Sequence, residues 1–114
     1  MLPVDWFEEF PGAVTICDEA GIILALNARA AQGFASDGGK DLVGRQVLDC
    51  HPEPARSKLR EMMASQRANV YTVEKGGVKK LIYQAPWTVE GRYAGFVEVA
   101  LEVPNEMPHF VRSS

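Results

Sequence analysis

At 114 residues with a net charge of −3, the chain has the size of one domain and no basic block that would seat a nucleic acid. Its 46% hydrophobic and 24% charged content is that of a globular protein able to bury roughly two-thirds of its unfolded surface. The two cysteines, Cys17 and Cys50, are too few for a disulfide framework or a four-thiolate zinc site. No basic leader and no apolar run of membrane-spanning length occurs, so the sequence reads as cytoplasmic, with both thiols reduced.

In chain order, Val4–Phe10 carries apolar residues at helical intervals (Leu2 with Trp6, Trp6 with Phe10) and reads as a short amphipathic helix. Pro11-Gly12 ends it. Ala13–Cys17 and Ile22–Leu26 flank the turn Asp18-Glu19-Ala20-Gly21 and read as a β-hairpin. Asn27 is placed to cap a short helix over Ala28–Gln32, and Gly33 to end it. Ser36–Lys40 is a loop and Asp41–Arg45 a single turn. The longest helix is expected over Glu53–Arg67, with Pro54 in its first turn and Leu59, Met62 and Met63 on its apolar side. Asn69–Lys75 and Val78–Val89 pair across Gly76-Gly77, and Tyr93–Val103 follows Glu90-Gly91-Arg92 as the last strand. There Val97, Val99, Leu101 and Val103 alternate with Glu98, Ala100 and Glu102, a half-buried pattern.

These segments describe an α+β domain: a five-stranded antiparallel sheet with helices on one face and an amphipathic N-terminal helix. The chain divides into the N-terminal cap (1–12), a core domain (13–103) and a patternless tail (104–114).

Phe10-Pro11-Gly12-Ala13-Val14, the hairpin Asp18–Ile23 followed by Asn27, the turn Leu42-Val43-Gly44-Arg45, and Gly91 through Gly95-Phe96-Val97-Glu98 stand in an order that resembles a PAS domain across residues 4 to 103. The resemblance implies a sensory domain with a ligand between the long helix and the last three strands. Two departures stand out. The end reads Glu102-Val103-Pro104 where many PAS domains carry an Asp-Ile-Thr-like triplet, and Cys50 does not lie in the Asn-Cys-Arg-Phe context of flavin photoreceptors. The short tail leaves no room for a kinase or transcription domain, so the chain reads as a stand-alone sensor or a piece of a longer one.

Asp49-Cys50-His51-Pro52 resembles the junction of haem-binding, carbon-monoxide-responsive PAS regulators. That resemblance implies haem, with His51 as axial ligand to its iron. The local alternative is a histidine hydrogen-bonded beside Pro52. Met63, Tyr83, Trp87 and Phe96 are the candidate ligand-contacting residues beside His51; the same rings, with Tyr71, serve equally as core. Gln84 becomes interesting if it faces inward, since a buried amide needs partners. Enzyme motifs are absent, and Cys50 reads as a small apolar group before a nucleophile, so binding rather than catalysis is expected. The expected partners are a second copy, through the N-terminal element, and a histidine kinase or transcription regulator. A ligand-free docking module with a filled core is the competing reading.

Overall fold

The computed structural model describes residues 4–113. Five strands form one antiparallel sheet: β1 (Ala13–Asp18), β2 (Ile23–Leu26), β3 (Asn69–Lys75), β4 (Val78–Val89) and β5 (Arg92–Val103), in the order β2-β1-β5-β4-β3. Helices α1 (Ala28–Gly33) and α2 (Ala55–Ser65), with three single 3-10 turns at Ala35–Asp37, Gly39–Leu42 and Val47–Cys50, connect β2 to β3. They cover one face of the sheet.

Local chemistry sets the turns. Asp18 Oδ1 accepts from the backbone N–H of Ala20 and Ile22, both at 2.9 Å, and Gly21 supplies a φ of 88° in the β1–β2 turn. Gly76 and Gly77 both hold positive φ in the β3–β4 hairpin, as a two-residue connection matched to strand twist requires.

Asn27 joins the halves of the domain. Its side-chain oxygen accepts from Val14 N and Ala30 N, both at 3.0 Å, and its amide donates to the carbonyls of Phe7 (3.0 Å) and Gly12 (2.8 Å). The residue is fully buried, so one side chain both caps α1 and ties the N-terminal segment to β1.

The core lies between the helices and the sheet. Ile23, Leu26, Ala30, Leu42, Val47, Leu59 and Met62 pack there on Cys17 and Phe96. The β1–β5 and β4–β5 registers place Thr15, Cys17, Phe96, Glu98, Ala100, Ile82 and Gln84 on this helix-side face. Val14, Ile16, Val97, Val99, Leu101, Tyr83 and Trp87 fall on the outer face.

Two expectations need correction. Residues 4–12 form bends and one turn rather than an amphipathic helix. The segment is too short to repay helix nucleation, and Phe7 O and Gly12 O are instead taken by the Asn27 amide. The pairing of Leu2 with Trp6 lies outside the described residues. The long helix is Ala55–Ser65, shorter at both ends than expected; its C-terminal end falls at Ser65 because Gln66 adopts a left-handed φ of 56° and closes it by donating its N–H to Met62 O at 2.8 Å.

Candidate functional site

A row of polar residues crosses the middle of the helix-side face. Register places Thr15 on β1 opposite Glu98 on β5, Glu98 opposite Gln84 on β4, and Gln84 opposite Asn69 on β3. Antiparallel neighbours on one face stand close enough for their side chains to bond. Three of the four do so: the Asn69 amide donates to Gln84 Oε1 at 2.9 Å, and the Gln84 amide donates to Glu98 Oε2 at 2.6 Å.

His51 closes the row from the helix side. It follows the 3-10 turn Val47–Cys50 and is 9% exposed. Its Nδ1 donates to Val47 O at 2.9 Å, since a carbonyl only accepts, and its Nε2 faces Glu98 Oε2 at 3.6 Å. Burial alone lowers the His51 pKa, but hydrogen bonds to the Cys50 sulfur and to Glu98, the Glu98 charge and the Val47 carbonyl outweigh it and push it up to about 10. Burial likewise disfavours the Glu98 anion, yet the His51 and Gln84 donors and the His51 charge hold its pKa below the ordinary carboxylate value. The pair is therefore ionic across neutral pH. Arg56 braces the junction, its Nε donating to Leu48 O and His51 O, both at 3.0 Å.

Two spaces flank this row. A cavity of about 570 Å³ lies between α1 with Phe34 and the sheet, bordered by Thr15, Ile82, Glu98 and Ala100, with Arg29, Lys80 and Glu102 at its exposed rim. A second of about 430 Å³ lies under the start of α2, bordered by Pro54, Lys58, Tyr71, Asn69 and Gln84. Glu98 belongs to the first and Gln84 to the second, so their hydrogen bond spans the boundary.

Of the residues expected at the site, His51 and Phe96 lie on the helix side, Phe96 wholly buried in the core. Met63 is half-buried on α2 and packs at the core's edge near Gly21. Tyr83 and Trp87 are not there. Tyr83 is 45% exposed on the outer face, and Trp87 borders the outer groove and donates its indole N–H to Cys17 O at 3.0 Å. Strand alternation explains the miss: Ile82, Gln84 and Pro86 take the inner positions of β4, so their neighbours must point outward. Glu98, Thr15 and Asn69 went unrecognised. Phe96 and Glu98 share a face by the period of two, so the inward choice for Phe96 already implied an inward Glu98.

A haem iron on His51 would take the Nε2 lone pair, with Nδ1–H held by Val47 O. In this structure Nε2 faces the Glu98 carboxylate at 3.6 Å, so Glu98 occupies the side from which iron would approach. Among the described residues no group of three or more His, Cys, Asp and Glu side chains is gathered to hold a metal ion. Burial first, then the charges of Glu98, Cys50 and Asp18, push the Cys17 thiol up to about 12, which disfavours its thiolate. Among the described residues no helix is long and apolar enough to cross a membrane.

Solved structures share this architecture. The sensor region of a sensor histidine kinase superposes with a TM-score of 0.59 at 18% identity, covering 79% of this chain; the chain spans 38% of that longer one. The PAS domain of BvgS from Bordetella pertussis gives 0.64 at 13% identity, covering 87% of this chain and 82% of its own. The Aer2 receptor from Vibrio cholerae, described as a dual PAS-heme oxygen sensor, gives 0.58 at 16% identity, covering 82% and 95%. At such identities the likeness speaks for the fold alone. A search of the curated proteins found no match. The family model described as the PAS fold matches residues 7–105, nearly the whole chain, and with the sheet order and helix placement above it shows that this chain belongs to the PAS family.

Proposed function

We propose that this PAS domain is a cytoplasmic sensor that binds a small organic molecule on the helix side of its sheet and relays occupancy to a second copy or a signalling partner. The observation that carries this reading is the cavity of about 570 Å³ with Glu98, the buried partner of His51, at its wall. Ligand sites are mostly apolar spaces with a few placed polar groups, and sensor PAS domains of kinases share this fold. A ligand wedged between α1 and the sheet stabilises whichever packing of the two gives it the better contacts, which is all that a relay requires. Because Glu98 faces His51 Nε2, the atom an iron would take, an organic ligand is put ahead of haem. We assign the domain a binding role and no catalytic residue.

The test is native mass spectrometry of the whole chain with a mixture of small aromatic and aliphatic fragments, repeated on Ala100→Phe and Ala100→Leu, which fill the cavity. One-to-one adducts lost in both variants support the reading. Equal adducts in all three proteins overturn it. Hemin added to the wild type is expected to give no Soret band that His51→Ala abolishes.

The outer face favours a second role alongside the first. Trp6, Phe10, Val14, Trp87, Val97 and Val99 border an apolar groove of about 500 Å³. A homodimer covering this face supplies the route by which a change at β5 is read, since Val97 and Val99 alternate with Glu98 on one strand. If no ligand exists, this face alone makes the domain a docking module.

A further inference from the structure

We propose that the cavity takes a neutral small molecule presenting an N–H donor beside a carbonyl acceptor, as on the edge of a lactam, received by Glu98 Oε1 and the Thr15 hydroxyl. The proposal rests on the reading of that cavity as the ligand site.

Both protein contacts to the Glu98 carboxylate, from His51 and from Gln84, fall on Oε2. Among the described residues no donor reaches Oε1. The Glu98 side chain as a whole is 16% exposed, so Oε1 belongs to a mostly buried group and has no protein partner. Thr15 is 4% exposed and directly opposite Glu98, and its hydroxyl is likewise without a partner among the described residues. Among all the described residues the one side-chain N or O atom both sealed from solvent and unpartnered is Tyr93 Oη, away from this cavity. Glu98 Oε1 and Thr15 Oγ1 therefore keep an opening, and both residues border the cavity.

The chemistry of these atoms fixes the ligand's. An ionised carboxylate only accepts, so the ligand must donate to Oε1. The threonine hydroxyl donates or accepts, and beside an acceptor its proton is best used on a ligand carbonyl. Opposite residues of an antiparallel pair carry Cβ atoms about 5 Å apart, a span that one edge of a single planar ring bridges. His51 balances the charge of Glu98, and the cavity's other charges, Arg29, Lys80 and Glu102, stand at its exposed rim, so a charged group seated against this buried wall would lack a partner there, whereas a neutral donor satisfies the oxygen at no such cost. Phe34, Ile82 and Ala100 offer apolar surface to the ring faces.

The test follows backbone amide shifts of the full chain on titration with 2-pyridone, N-methyl-2-pyridone, toluene and benzamidine. The expected result is that 2-pyridone moves Thr15, Phe34, Ile82 and Glu98, and that N-methylation weakens binding by about tenfold, the worth of one buried hydrogen bond. Thr15→Val, which keeps the shape and removes the hydroxyl, is expected to weaken 2-pyridone several-fold and leave toluene unchanged. Equal affinity for 2-pyridone and its N-methyl form overturns the donor assignment. Tighter binding of benzamidine overturns the neutral class. Toluene shifting these amides while 2-pyridone does not overturns the proposal and leaves the cavity as a ligand site. If none of the four probes moves them in a folded protein, the cavity reading itself fails.

Discussion

A buried residue with a complete set of partners is costly to remove, and Asn27 is the extreme case. It uses its oxygen twice and both amide protons. Asn27→Ala strands four backbone groups, so a loss of about 2–4 kcal/mol is expected, read as a fall of roughly 10–25 °C in Tm for a domain of this size. An unchanged Tm contradicts the tie it makes between N-terminal segment, β1 and α1. The His51–Glu98 pair is legible through pH. The His51 pKa is raised from 6.5 to about 10, so its stabilisation is complete below pH 6.5 and is lost as pH rises through 10. The Glu98 pKa is lowered, so its stabilisation is complete above the ordinary value of 4.5 and is lost as pH falls below it. The pair contributes most between those limits. Urea unfolding from pH 6 to 10 should show falling stability in the wild type and a flatter profile in Glu98→Gln, with the His51 ring titrating near its ordinary value in the variant. Identical slopes in the two proteins contradict the buried ion pair.

At the scale of elements, α2 ends on a strained residue. Gln66 holds φ at 56°, where a side chain is disfavoured and glycine is at ease. Gln66→Gly is expected to stabilise the fold by about 0.5–1 kcal/mol, checked by chemical denaturation; a loss would mean that the Gln66 side chain contributes more than its backbone costs. Gly95 is the opposite case. A Cβ there would overlap the Cys17 carbonyl, the acceptor of the Trp87 indole, where β4 shifts register. Gly95→Ala is expected to cost about 2 kcal/mol or more and to alter Trp87 fluorescence. The strands of the C-terminal half were readable because Gly76-Gly77 and Glu90-Gly91 punctuate them and β-branched residues fill them. The N-terminal helix was misread because periodicity over seven residues cannot register that the Asn27 amide takes the backbone carbonyls of Phe7 and Gly12. The site was half readable for a related reason. Composition marks β4 and β5 as half-buried without saying which half meets the helices, and both faces of this sheet are apolar. Tyr83 and Trp87 look like a pocket lining, yet the lining is Thr15, Ile82, Glu98 and Ala100, a set whose one charge disguises it as solvent-facing.

For the whole molecule, a sheet apolar on both sides needs two covers. The helices supply one, and Trp6 and Phe10, stacked edge-on at 5.6 Å, supply a partial second. Val99→Asp on the uncovered part is expected to convert a homodimer to monomer in sedimentation with little change in helix-side amide shifts; a monomeric wild type at high concentration removes the dimer from the account. The central claim lies on the other side, where Thr15 and Glu98, the end of the polar row, border the cavity proposed to take a small molecule. Its most direct test is residue-resolved amide shift mapping of the full chain against a set of small organic fragments. The account predicts that binding fragments perturb Thr15, Phe34, Ile82 and Ala100 together and that Ala100→Phe abolishes the response. Perturbations confined to Val97, Val99 and Trp87, on the outer face, would contradict it.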